Sequence, residues 1–442
     1  MSNKLNSLEN ALEIVESVIK DSQAEQVFVN LQMSESSLSR FSENQMSQNL
    51  AKSRFNLTIT SYYGQKSATS SISQNNPEAI KDALRNCETL AKLAPNDPEW
   101  IPLLPPQQYD IEINNQDQPS ISPLANGQKI QQICHECDLA KVQGSGTLSS
   151  TNSLNIIGSS TGLRANSRET KADFSITAKY QDGSSWSSGS ANYLDELKIM
   201  NLTAKTIERC LDSVKPQEIK PGTYPVVLES AAFANLLPWV IFSMDARSSD
   251  EGRSFMSILD NSGKLIGNRL GQEIFSKIVQ VKRGFNHPLL QTSSFLEDGL
   301  PNHSIDIIKE GIPQSLSYSR YWANKQEKQA TGGFFPIIME GSNRSIQDLI
   351  SQTEKGIFIS RTWYVNYVNP RTLEVTGMTR DGTFWIENGR ISHPIKNLRF
   401  NQELPLALKD IEDVSKPERH GNNIIPGVKI KNFHFSSITE SI

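Results

Sequence analysis

Hydrophobic positions along the chain change period several times, and each change marks an element. Over 8–19, Leu8, Leu12, Val15, Val18 and Ile19 recur at three- and four-residue steps, which predicts an amphipathic helix. Asn6 and Ser7 are its capping candidates, and Glu9 falls in its first turn. The beat then shortens to two. Residues 26–33 and 53–63 read as strands, the second carrying Phe55, Leu57, Ile59 and Tyr62. "NNPEAIKDALRNCETLAKLAP" returns to the helical period, with Asn76 as cap, Pro77 in the first turn and Glu78 favouring the helix dipole. Five prolines between 95 and 106 forbid regular structure there, so that stretch reads as a linker or a wrapped arm. Helices are predicted over 126–142 and 193–211. Between them lie Ser-, Thr- and Gly-rich hairpins, one of them turning at the Asp-Gly of "ADFSITAKYQDG".

Pro216, Pro221, Gly222 and Pro225 break the chain just before an apolar strand at Val226 to Leu228, and a new domain is expected to open there. An apolar run, Ala231 to Met244, follows at once. From 250 onward strands dominate, and the tail reads as successive hairpins. Trp363, Val365 and Tyr367 alternate, then Leu373 and Val375, then Phe384 and Ile386, with corners at "NPRT", "RDG" and "ENGR". No internal repeat appears at a solenoid period. The expected fold class is α+β: an N-terminal α/β portion with a mixed sheet and packed helices, and a C-terminal β-rich domain of antiparallel strands. Three domains are expected, at 1–100, 101–220 and 221–442, as a length of 442 residues suggests.

Composition excludes more than it assigns. Lysine plus arginine (44) nearly balance aspartate plus glutamate (48), so no overall field favours nucleic acid or anionic lipid. The apolar run 231–244 is shorter than the roughly 20 residues a helix needs to cross hydrocarbon, so no membrane role is expected. The N-terminus lacks a basic region followed by an apolar one, and a cytoplasmic location is expected.

Four cysteines are too few for a disulfide framework. Cys134 and Cys137 form a C-x-x-C, but with Ile130 and Ile133 they fall at helical spacing on one stripe. Core packing is therefore the favoured reading over a redox pair or a metal site. Cys87 (with Ile80, Ala83, Leu84 and Leu90) and Cys210 (with Met200, Ala204, Ile207 and Leu211) are read the same way.

"SRTWYVNYVNPRTLEVTGMTRDGTFWIENGRISHPIKNLRFN" resembles the C-terminal signature of the TldD/PmbA family, through its "TGMTRDG" strand and its later "KNLRF" stretch. The resemblance extends along the chain, through "ALRNCETLAKLAPNDPEW" and the domain opening at "PGTYPVVLES". It implies a cytoplasmic, two-subunit metallopeptidase that trims unfolded peptides, in a family also associated with modulation of DNA gyrase. Catalytic members carry His-Glu-x-x-x-His shortly after the domain-opening strand, and a C-terminal cysteine. Two imidazoles and a thiolate hold zinc there, and the glutamate takes a proton from the metal-bound water. Set against that segment, "LLPWVIFSMDA" places Pro238 at the first histidine, Trp239 at the glutamate and Ser243 at the second histidine. Proline has no free lone pair to give, indole only donates hydrogen bonds, and a lone hydroxyl is a poor zinc ligand. No cysteine follows Cys210. The scattered histidines (His287, His303, His393, His420, His434) are read as surface or turn residues.

The reading that follows is a PmbA/TldE-like, non-catalytic subunit with no catalytic residue, metal or cofactor of its own. Its expected partners are a catalytic TldD-like subunit and extended or unfolded peptide, gripped by strand addition. Candidate grip residues are Arg361, Tyr364, Arg371, Thr379, Arg380 and Asp381, with cross-strand and turn pairing as the alternative for each. "ATGG", Ala330 to Gly333, is a further candidate, because paired glycines permit close backbone approach. Two other readings stay open. One is a binding or scaffold homodimer that has lost peptidase function. The other is a peptidase with a different nucleophile, for which no Ser/His/Asp set can be assembled from the sequence.

Overall fold

The computed structural model describes residues 8–109 and 121–439. The capping candidates Asn6 and Ser7 lie outside them. Helix α1 (Leu8–Asp21) leads into three strands, β1 (Gln26–Ser42), β2 (Gln45–Tyr63) and β3 (Lys66–Ile72), and then α2 (Pro77–Leu93). Asn76 caps α2 as expected, its side chain accepting from the amides of Glu78 and Ala79. After α3 (Pro123–Leu139) come β4 (Gln143–Ser159), β5 (Arg164–Tyr180), β6 (Gly183–Ala191) and α4 (Ile199–Asp212). All six strands form one antiparallel sheet in the order β3-β2-β1-β4-β5-β6. Strands from both sides of residue 101 share this sheet, with β1 pairing β4 along its length.

Helices α1 and α2 cover one end of the sheet, packing Val15, Leu84 and Cys87 on Val29, Leu31, Leu57 and Ile59. Helices α3 and α4 cover the other end, over Phe41, Leu148, Phe174 and Ile176. The proline-rich segment is a wrapped arm. Tyr109 donates to the Gly299 carbonyl (2.7 Å) and packs with Leu104 near Phe295, while Glu99 pairs with Arg247.

The C-terminal portion opens with β7 (Gly222–Leu228), α5 (Ser230–Phe233), α6 (Leu237–Phe242), α7 (Ala246–Asp250) and a small hairpin of β8 (Ser257–Leu259) and β9 (Leu265–Asn268). It continues through β10 (Val281–Arg283), β11 (Asp306–Lys309), β12 (Ile312–Pro313), α8 (Arg320–Lys325), β13 (Ile337–Met339) and α9 (Ile346–Ser351). It ends with β14 (Lys355–Ile359), β15 (Thr362–Asn369), β16 (Glu374–Thr379), β17 (Thr383–Glu387), β18 (Arg390–Pro394), β19 (Leu398–Glu403), α10 (Leu404–Lys409), β20 (Ile411–His420) and β21 (Asn423–Ile438). Among the described residues thirteen strands form its main sheet, with β7 between β21 and β14 and a branch β15-β16-β19 joined to β21. The core beneath is one large apolar cluster, including Val226, Leu237, Val240, Ile357, Phe400 and Phe433.

The fold is α+β, as expected, with four differences from the sequence reading. Mixed pairing was expected in the N-terminal sheet but occurs in the C-terminal one, where β7–β14 and β13–β21 run parallel. A parallel pair needs a long crossover, and the mixed helix-and-strand excursion between β7 and β14 supplies it. The "RDG" corner does not close a hairpin. Asp381 and Gly382 take φ of 52° and 122°, and β17 leaves to pair with β14 and β18, while β16 pairs with β15 and β19. Strands β1 and β2 run well beyond the predicted strands, because the far half of β1 buries serines as well as apolar residues and the far half of β2 pairs with it while staying largely exposed. Ser37 accepts from Asn126, and Ser39 donates to Asn49. The buried stripe of α4 is Ile199, Thr203, Thr206 and Cys210, while Met200 and Leu211 are exposed. Both threonine hydroxyls donate back to the carbonyls four residues earlier, so they bury satisfied.

All four cysteines are free and buried. Burial pushes the thiols of Cys137 and Cys210 up to about 12 and raises that of Cys134. The native protein is therefore expected to resist Ellman's reagent at about pH 8, with all thiols reacting after denaturation. Rapid native labelling of Cys134 or Cys137 would reinstate the redox reading. No helix among the described residues is long and apolar enough to cross a membrane.

Candidate functional site

The apolar run 231–244 folds as two short helices with a break between them. Leu236, Leu237, Val240, Ile241 and Met244 are buried in the large core. Pro238 falls in the first turn of α6, where a missing N–H leaves no helical bond unmade. The break at 234–236 is pinned to β15: Asn235 donates to the Thr362 carbonyl (3.1 Å), and Thr362 donates to that of Ala232 (2.9 Å).

Trp239 and Ser243 are four residues apart and so share one face of α6. Both meet the same side chain of β15. The Tyr367 ring stands edge-on to Trp239, with centroids 4.5 Å apart, and its hydroxyl lies 2.8 Å from Ser243 Oγ. Pro238 offers no donor electrons, the indole cannot accept, and the serine hydroxyl is already engaged. Among the described residues no three His, Cys, Asp or Glu side chains come together to hold a metal. The donor set at this position does not fit a catalytic zinc ion.

A groove of about 420 Å³ runs beside this face. Its floor is the turn from α6 into α7, at Ser243 and Asp245. One wall is the segment Gly333–Phe335, and the other is Tyr367 with Pro370.

Comparison with known proteins fixes the lineage. Residues 221–437 match the PmbA/TldA metallopeptidase C-terminal domain. A metalloprotease PmbA homologue of Buchnera aphidicola is 25% identical over 310 residues, covering 65% of this chain. The matched stretch spans 64% of that relative's own length. The C-terminal half of the chain belongs to the TldD/PmbA family. The fold agrees along its whole length. TldE from Thermococcus kodakarensis superposes with a TM-score of 0.82 at 16% identity, over 97% of this chain and 99% of that one. A Bacteroides thetaiotaomicron protein assigned as a candidate modulator of DNA gyrase gives 0.81 at 18% identity, over 98% and 100%.

Within this chain the six candidate grip residues separate into two groups. Arg361 lies between two indoles, 4.5 Å from the Trp186 ring and 4.3 Å from that of Trp363. It pairs with buried Asp381 at 2.6 Å. Asp381 also accepts from Ser184 of β6 (2.9 Å), and Arg380 approaches it at 3.4 Å while lying over Trp363. Thr379 is fully buried, accepting from the Leu398 amide. Arg361 and Asp381 thus reach across to the N-terminal sheet, with Arg380 beside them, while Thr379 is bonded within the C-terminal sheet. Tyr364 and Arg371 instead face solvent, Tyr364 with φ 54° and Arg371 in the turn after β15. The positive φ breaks the strand's alternation, so Trp363, Tyr364, Tyr367 and Val368 are all exposed. Of "ATGG", Gly333 reaches the groove wall.

Sequence reasoning gave Tyr367 only a place in a strand, although it organises the face of α6. It also assembled no nucleophile set, whereas the fold brings Ser230 within 2.9 Å of His420 Nε2 and 2.5 Å of Glu418 Oε2. The neighbouring His420 ring and then the hydrogen bond from Ser230 hold the Glu418 carboxyl below its usual range. The acid approaches the same ring nitrogen as the serine, at 3.8 Å. In a proton relay the acid would sit on the opposite nitrogen, so this trio is not arranged as a catalytic triad. Separations of 188 and 190 residues left no signal for it.

Proposed function

We propose that this chain is the non-catalytic, PmbA/TldE-like subunit of a heteromeric metallopeptidase that acts on unfolded peptides in the cytoplasm. The observation that carries the reading is the face of α6, where Pro238 offers no ligand and Trp239 and Ser243 meet Tyr367 in place of a metal. A partner subunit would supply the metal and the nucleophilic water. This chain would supply a wall of the peptide groove. Among the described residues strand β15 pairs on one side only, with β16, so its outer edge can accept an extended chain through backbone hydrogen bonds that are indifferent to sequence.

The purified chain is expected to leave unfolded peptide uncut, with or without added zinc. Peptidase activity, abolished by chelator, is expected on mixing it with a His-Glu-x-x-x-His homologue that co-purifies with it. Metal-dependent turnover by the chain alone would overturn the proposal. If it formed stable homodimers and failed to activate any such homologue, the scaffold reading would replace it.

A further inference from the structure

Arg283, at the end of β10, has no exposed surface. A buried guanidinium ordinarily sits against a carboxylate. Here the partners are backbone carbonyls: Nε donates to His303 (2.8 Å), and Nη1 donates to Thr331 (2.6 Å) and Gly333 (3.1 Å). Nη2 has no partner among the described residues. Burial brings this group down to about 10, which leaves it charged at neutral pH. Its positive charge therefore lies uncompensated behind the loop 331–334, one of whose faces is a wall of the groove.

The loop's orientation follows from these bonds. The Gly332 carbonyl accepts from Ser317 Oγ (3.1 Å) and the Gly333 carbonyl from Arg283. In a planar trans peptide the N–H points opposite to the carbonyl of the same unit. The amides of Gly333 and Phe334 are therefore turned away from Ser317 Oγ and Arg283. Neither has a hydrogen-bond partner among the described residues. Gly332 takes φ 66°, and a Cβ there would lie 2.2 Å from Leu296. At Gly333, by contrast, a Cβ would meet nothing within 4 Å, so its Cα faces open space. Of the charged groups on the other surfaces of the groove, Arg253 pairs with Glu251 (2.5 Å), while Asp245 caps α7 through the Ser248 amide (2.7 Å) and keeps its negative charge.

The geometry points to a carboxylate-binding end of the groove, where the amides of Gly333 and Phe334 receive the C-terminal carboxylate of an extended apolar peptide and Arg283 supplies the opposing charge. Consecutive amides in a turn form such anion-binding concavities, and terminal carboxylates are a known occupant of them. Exposed Phe242 and Phe335, with Tyr367, give the adjoining side chains an apolar bed. This inference rests on the groove belonging to a peptide-handling subunit.

The test is fluorescence anisotropy of the full chain with one apolar hexapeptide, labelled at its N-terminus and made with either a free C-terminal carboxylate or an amide. The carboxylate form is expected to bind at least about tenfold tighter, as a charge-assisted contact should. Gly333→Val should weaken it by about tenfold or more without disturbing packing, because the new side chain enters only open space. Arg283→Met, where it folds, should bring the two peptides to similar affinity. Equal affinity of the wild-type chain for both peptides, no binding of either, or unaltered binding by Gly333→Val would each overturn the inference. Equal affinity would leave the subunit proposal standing, since that is decided by activity on mixing.

Discussion

Glu229→Gln is expected to lower the unfolding free energy by about 3–5 kcal/mol, the usual cost of removing one partner from a buried ion pair. Glu229 directly follows the strand that opens the C-terminal domain, and its carboxylate is held by Arg209 (2.6 and 2.8 Å) and Lys205 (2.8 Å) of α4. The triad ties α4 to the turn between β7 and α5, and Arg209 also lies over the Phe358 ring. Burial by itself would raise the carboxyl, but the charges of Arg209 and Lys205 and their hydrogen bonds outweigh it and hold the group at about 2, against an ordinary 4.5. The sign follows directly. A carboxyl depressed in the folded state stabilises above its unfolded value and loses that contribution as pH falls toward its folded one. Roughly 3 kcal/mol should therefore be present at neutral pH and drain away between about pH 5 and pH 2. Urea unfolding across that range checks both statements. The wild type should weaken steeply, whereas the glutamine variant should start weaker and change less. Parallel pH profiles would show that Glu229 is not the group responsible.

Arg361→Ala is expected to cost a similar amount, about 3–5 kcal/mol, because it strands the buried carboxylate of Asp381 and unstacks two indoles. Arg361→Lys keeps the charge but not the flat guanidinium between Trp186 and Trp363, and should cost about 1–2 kcal/mol. Urea midpoints measure the loss. Tryptophan emission shifted to longer wavelength would report that the sandwich has opened. If the alanine variant were as stable as wild type but gripped peptide poorly, Arg361 would return to the role of a grip residue. The expected loss of stability follows from where its contacts lie: Trp186 comes from the N-terminal sheet and Trp363 and Asp381 from the C-terminal domain.

Local periodicity was legible wherever burial used apolar side chains. Helix α2 with its Asn76 cap, the Cys134–Cys137 stripe of α3 and the strand before Glu229 could all be placed from spacing alone. It failed where burial used polar ones. The serines of β1 and the threonines of α4 carry no hydrophobic signal, although each is buried and bonded. It failed again at Tyr364, whose positive φ shifts the strand's register, and at "RDG", where turn chemistry was legible but the destination of the next strand was not.

By itself the sequence determined the chemistry that α6 lacks: whichever way the chain folds, Pro238, Trp239 and Ser243 cannot provide two imidazoles and a carboxylate. It also determined the α+β class, because helical and strand periods are written into neighbouring residues. Only the tertiary structure decided what those three positions do instead, which of the conspicuous arginines face solvent, and that Arg283 lies buried behind a loop with free amides. The physical reason is distance along the chain. Tyr367 is 124 residues from Ser243, and Trp186 is 175 from Arg361, so these contacts depend on which strand pairs with which, a choice that local spacing does not encode.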